Sequence, residues 1–96
     1  MIEVRQTEIF ARWLVNLRDG RARARINARV RRLSIGNLGD AKSVGGGVLE
    51  LRIDDGPGHR VYFVRRGEAL VILVAGGDKR TQSQGIATAI KLARDL

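Results

Sequence analysis

Apolar residues recur along this chain with two different periods, and the places where the period changes divide it into elements. "IEVRQT" (2–7) alternates briefly and predicts a short strand. From residue 7 the spacing changes. Phe10, Trp13, Leu14 and Leu17 fall at i, i+3, i+4 and i+7, one face of a helix, with Thr7 as expected N-cap and Gly20 as expected stop. "RARARINARVRRLSIG" (21–36) carries a second stripe through Ala22, Ile26, Val30 and Leu33. The short Asp19–Gly20 connection predicts an antiparallel helical hairpin.

The stretch at 36–47, "GNLGDAKSVGGG", reads as a glycine-rich loop and contains no phosphate-binding P-loop pattern. Beyond it the period falls to two. "VLELRID" (48–54) sets Leu49, Leu51 and Ile53 against Glu50 and Arg52; "HRVYFVR" (59–65) sets Val61 and Phe63 against Arg60 and Tyr62. "GPG" and "RRGE" are the turns of a three-strand meander that ends in "ALVILVAG", apolar on both faces as a doubly covered strand should be. A last helix at about 83–95 turns Ile86, Ile90 and Ala93 inward. The whole predicts one α+β domain over 1–96: an N-terminal strand and helical hairpin packed on a largely antiparallel sheet, then a C-terminal helix. The two early helices should cover one face of the sheet and leave the other open.

Charge changes this picture more than composition does. The 44% apolar content is ordinary, but 18 basic against 10 acidic residues gives a net charge of +8. Such a field draws polyanions, and the predominance of Arg over Lys suits bidentate phosphate or carboxylate recognition. There is no cysteine, which excludes disulfides, thiolate catalysis and Cys-based zinc sites. "ALVILVA" is too short to span a bilayer, and the N-terminus lacks a signal-peptide pattern, so a soluble cytoplasmic protein is expected.

Pairing the two alternating strands apolar face to apolar face puts Glu50, Arg52, Arg60 and Tyr62 on one side, above Ile72 and Val74, with Lys79 just past the strand end. Transphosphorylation of RNA needs a base for the 2′-OH, cations for the phosphate and an acid for the leaving oxygen. Glu50 is a candidate base and Arg52, Arg60 and Lys79 are candidate cations. Tyr62 or His59 is a candidate acid or stacking platform. The same pattern also fits a solvated strand face with a cross-strand Glu–Arg pair, and His59 fits a polar turn residue. A second basic feature is the helical stripe Arg21, Arg25, Arg29 and Arg32. No acidic residue lies between 21 and 33 to neutralise it, so a nucleic acid or an acidic protein is its expected partner.

"FARWLVNLRD", "ARARINARVRRLSIGNLGD", "KSVGGGVLELRI", "GPGHRVYF" and "GGDKRTQ", in that order, resemble the RelE/ParE superfamily of toxins from bacterial toxin–antitoxin modules, on the HigB-like branch of addiction-module killer proteins. The resemblance implies a RelE-like toxin fold, a cognate antitoxin, and metal-independent mRNA cleavage, usually on the ribosome. No cofactor, small-molecule ligand or membrane is implied. The implied site is Glu50, Arg52, Arg60, Tyr62 and Lys79. Position 59 is His where Tyr is usual, and position 85 is Gly where Asp is usual. The rival reading from the same superfamily is a ParE-like toxin that binds and poisons DNA gyrase without cutting RNA.

Overall fold

The computed structural model describes residues 2–96. Its central element is a five-stranded sheet ordered β1-β5-β4-β3-β2. The strands are β1 (Glu3–Gln6), β2 (Ala41–Gly45), β3 (Val48–Arg52), β4 (His59–Arg66) and β5 (Leu70–Asp78). All neighbours are antiparallel except β1, which runs parallel to β5 with Val4 opposite Val71. A parallel partner needs a long crossover. Here everything between β1 and β5 supplies it, so the first strand pairs with the last.

Helices α1 (Glu8–Val15) and α2 (Gly20–Ser34) lie on one face. Their apolar stripes meet the sheet in a core of Phe10, Ile26, Leu33, Leu51, Val61 and Phe63, all at most 1% exposed. Thr7 caps α1 as expected, its hydroxyl accepting from the Phe10 amide at 3.0 Å. Gly20 does not stop that helix. α1 ends at Val15 with Asn16 as its C-cap, and Asp19 caps α2 by accepting from the amides of Arg21 (2.9 Å) and Ala22 (3.4 Å). An aspartate one residue before a helix is the stronger signal, because it satisfies amides that otherwise have no partner.

Two expectations change the site. The 36–47 segment is not all loop: β2 forms there and pairs with β3, Lys42 opposite Glu50. "AKSVG" is a short edge strand with one face wet, so it carries little alternation to read. The other face of the sheet is not open either. Helix α3 (Gln82–Arg94) packs on it, building a second core from Val48, Tyr62, Val64, Val74, Ala89 and Ala93. The domain is therefore three layers, helices on both faces of one sheet. No helix among the described residues is long and apolar enough to cross a membrane.

Candidate functional site

β3 and β4 pair with Glu50 opposite Tyr62 and Arg52 opposite Arg60. This register keeps the apolar faces together as the alternation requires, and it places all four side chains on the α3 side of the sheet. The consequence of α3 is that two of them are sealed: Glu50 and Tyr62 are 0% exposed. A carboxyl group taken wholly out of water is costly unless other polar groups replace its hydration. Three side chains do so at Glu50. Gln82, the first residue of α3, donates its amide to both carboxyl oxygens at 2.9 and 3.1 Å. Arg52 Nε lies 3.4 Å and Arg60 Nε 3.8 Å from Oε1. Arg60 is 9% exposed, and its Nε has no hydrogen-bond partner among the described residues.

The Tyr62 hydroxyl is also buried and makes no well-formed hydrogen bond among the described residues, although the Glu50 carboxylate lies close to it. Burial, then the nearby Glu50 charge, pushes the phenol up to about 12. Gly85 of α3 sits directly on this ring, and a Cβ there would come within 3.1 Å of it. The glycine that departs from the usual Asp thus has a packing cause. It lets the helix lie close over Tyr62, which is why neither a stacking platform nor an accessible acid exists at this residue in the structure.

The exposed part of the constellation lies beyond the end of α3. A groove of about 490 Å³ is lined by Arg52 and Arg60 from the sheet, Lys79 from the 3-10 turn Lys79–Thr81, and Arg29 from α2, with Asp40, Asp54 and Asp55 on its wall. Arg29 is held there by backbone. Its Nη1 donates to the Arg52 carbonyl at 2.6 Å, and its Nη2 reaches the Leu38 and Asp40 carbonyls at 3.5 Å. Arg25 donates to the Asp54 carbonyl in the same way. The arginine stripe is therefore not one uniform flank: Arg25 and Arg29 brace the end of β3, while Arg21 and Arg32 stand exposed and belong to no ion pair among the described residues.

His59 does not join the groove. It points to the opposite face from Arg60, as neighbours on a strand must. There its ring meets Trp13 edge-on at 6.1 Å and its Nδ1 lies 2.5 Å from Asp55 Oδ2. Asp55 also accepts from the amides of Gly58 (2.7 Å) and His59 (3.0 Å). Burial works to raise the Asp55 carboxyl, but the hydrogen bonds and charge of His59, with the Gly58 amide, hold it below its ordinary value. The pair locks the turn between β3 and β4, so the structure gives His59 a place in the scaffold and not in the site.

Gln82 and Asp55 are the residues that sequence reading missed. The Asp55 turn leaves a local trace, an acidic residue ahead of "GPGH". Gln82 leaves none, because its partner is 32 residues away. No group of three or more His, Cys, Asp or Glu among the described residues is arranged to hold a metal ion.

Residues 12–96 match the family described as phage-derived protein Gp49-like (DUF891). A similar protein from Haemophilus influenzae, described only as uncharacterized, is 50% identical over 95 residues, spanning 99% of this chain and 96% of its own length.

Proposed function

This chain belongs to the family of phage-derived Gp49-like proteins, a family of RelE-like and addiction-module-like toxins, and from that premise we propose that it is the toxin of a toxin–antitoxin pair and cuts mRNA. The reading places it on the HigB-like branch, acting in the cytoplasm on ribosome-bound message and silenced by a cognate antitoxin. The observation that carries it is the convergence of Arg52, Arg60 and Lys79, with Arg29, on one open groove.

The chemistry is transphosphorylation. The 2′-oxygen attacks the adjacent phosphorus and loses its proton to a base; the bond to the 5′-oxygen breaks and that oxygen takes up a proton. The products are a 2′,3′-cyclic phosphate and a 5′-hydroxyl end. Negative charge grows on the phosphate oxygens, where preorganised cations stabilise the transition state most. Arg60 and Arg52 are the phosphate-holding pair. Glu50 accepts from Arg52 at 3.4 Å and neutralises the buried Arg60 at 3.8 Å, so that both cations are kept at the groove from behind. Lys79, exposed at the rim, faces the leaving oxygen. Glu50 reaches the substrate as a base only after Gln82 releases it, and Tyr62 acts as an acid only if α3 moves away.

The test is expression without an antitoxin, with transcript ends mapped. Growth arrest and cuts inside coding sequence are expected. Arg60→Ala should slow cleavage by roughly a hundred- to thousandfold, the effect of losing one preorganised donor worth about 2.7–4 kcal/mol. Arg60→Lys should recover part of that rate, since a point charge lacks the planar fork. Intact transcripts beside accumulated gyrase–DNA cleavage complexes would replace this reading with gyrase poisoning.

A further inference from the structure

The groove over Arg60 and Arg52 continues past Arg29. A second depression of about 250 Å³ is lined by Arg25, Ala28, Arg29 and Arg32 of α2, together with Ile53 and Asp54. The two share Arg29, Ile53 and Asp54 as a common wall. That wall is fixed. Arg29 is committed to the carbonyls of Arg52, Leu38 and Asp40, and Arg25 to that of Asp54, so the depressions keep a constant relation to each other. Lys79, Arg60 and Arg52 lie on one side of the wall, Arg25 and Arg32 on the other. Asp54 stands on the wall itself and disfavours an anion there; the first depression also carries Asp40 and Asp55 against its four cations, and in the second Arg25, Arg29 and Arg32 face Asp54 as the one carboxylate.

The lining is as informative as the charge. Neither depression has an aromatic side chain among the described residues: Tyr62 is sealed beneath α3, and Trp13 packs on the other face against Phe10 and His59. Without stacking platforms or apolar pockets a surface favours the phosphate backbone, and base reading is left to hydrogen bonds alone. A protein partner fits the second depression poorly. Interface cores depend on buried apolar anchors, and its apolar lining is only Ala28 and Ile53, the latter 2% exposed.

We propose that the two depressions form one continuous track for the backbone of single-stranded RNA, with Arg25 and Arg32 holding phosphates that flank the scissile one. This rests on the mRNA-cleavage reading and deepens it. The track is indifferent to sequence, so any codon preference arises from how the ribosome presents the message.

The experiment measures binding of 2′-O-methyl oligo(A) and oligo(U), which lack the attacking hydroxyl, across a range of salt. Wild type, Arg32→Gln and the double variant Arg25→Gln/Arg32→Gln are compared. Each lost phosphate contact should reduce the slope of log affinity against log salt by about 0.7 for a single strand. Arg32→Gln should therefore flatten it by about 0.7 and the double variant by about 1.4, with equal affinity for the two oligonucleotides throughout. On ribosome-bound mRNA, Arg32→Gln should raise KM and leave kcat unchanged. Arg32→Gln is the decisive variant, because Arg25 also braces Asp54 and its loss can loosen the corner. An unchanged salt slope and KM in Arg32→Gln, with cleavage intact, overturns the track alone. A strong preference for one oligonucleotide, or an Arg32→Gln defect confined to antitoxin binding, also overturns it. If wild type neither binds nor cuts RNA, the mRNA reading falls and takes the track with it.

Discussion

Replacing Glu50 with Gln keeps the shape of the side chain and removes only its charge and half of its acceptor capacity. The residue is 0% exposed, so solvent cannot compensate. Removing one partner of a buried ion pair typically costs about 3–5 kcal/mol, because the other charge is left buried and unpaired. Two features of the site reduce that figure. The Nε–Oε1 separations of 3.4 and 3.8 Å are long for charge-assisted bonds, and the Arg52 side chain is 35% exposed, so only the Arg60 pair, 11% exposed, counts as buried. One contact adds to the loss, since Gln82 donates to both oxygens and an amide at position 50 presents one donor in return. We expect a net destabilisation of about 2–3 kcal/mol. For a domain of this size that lowers Tm by roughly 10–20 °C. Thermal unfolding by circular dichroism measures it. A double-mutant cycle with Arg60→Ala should show a coupling of about 1 kcal/mol or more, because the second substitution removes the charge that the first orphaned. Glu50→Gln that melts like wild type but no longer cuts RNA would refute the argument and make Glu50 a reacting group instead of a brace.

Tyr62→Phe deletes a buried hydroxyl that makes no well-formed hydrogen bond among the described residues, so stability should stay level or rise by up to about 1 kcal/mol in urea unfolding; a clear loss would mean that the hydroxyl is bonded to Glu50. The wild-type phenol, raised to about 12, favours the folded state fully below pH 10 and loses that contribution as pH climbs from 10 to 12, by about 1.4 kcal/mol per unit. The Phe variant should lack this alkaline decline. Gly76→Ala places a Cβ 2.2 Å from the Trp13 ring, an overpacking that should cost about 1–3 kcal/mol and shift the fluorescence of the single tryptophan; an unmoved emission spectrum would contradict it. The Asp55 carboxyl is held below its ordinary value, so its contribution is present above about pH 3.9 and lost as pH falls through the folded value. Asp55→Asn should flatten the urea midpoint against pH in that acid range, and an identical acid profile for the two proteins would remove the Asp55–His59 lock.

The faces of the strands were legible in the sequence, because a period of two leaves one side of β3 and β4 on which to bury Leu51, Val61 and Phe63 together. That constraint already puts Glu50, Arg52, Arg60 and Tyr62 on one side, while the pairing of Glu50 with Tyr62 and Arg52 with Arg60 is set by the turn at 53–58. The helical stripes of α1 and α2 were legible for the same reason, at period 3.6. Periodicity states which side of an element is apolar and says nothing of which surface it meets. The stripe of α3 carries no address, and only the assembled sheet shows that it closes over Tyr62 and leaves the groove at Arg60 open. Gln82 meeting Glu50, and Arg29 meeting the Arg52 carbonyl, are contacts between polar groups that look solvated in one dimension. Local pattern determined the faces of this protein, since side-chain direction follows from backbone period. Which polar residues are buried, braced or free was decided by tertiary packing, since burial depends on neighbours distant in the chain.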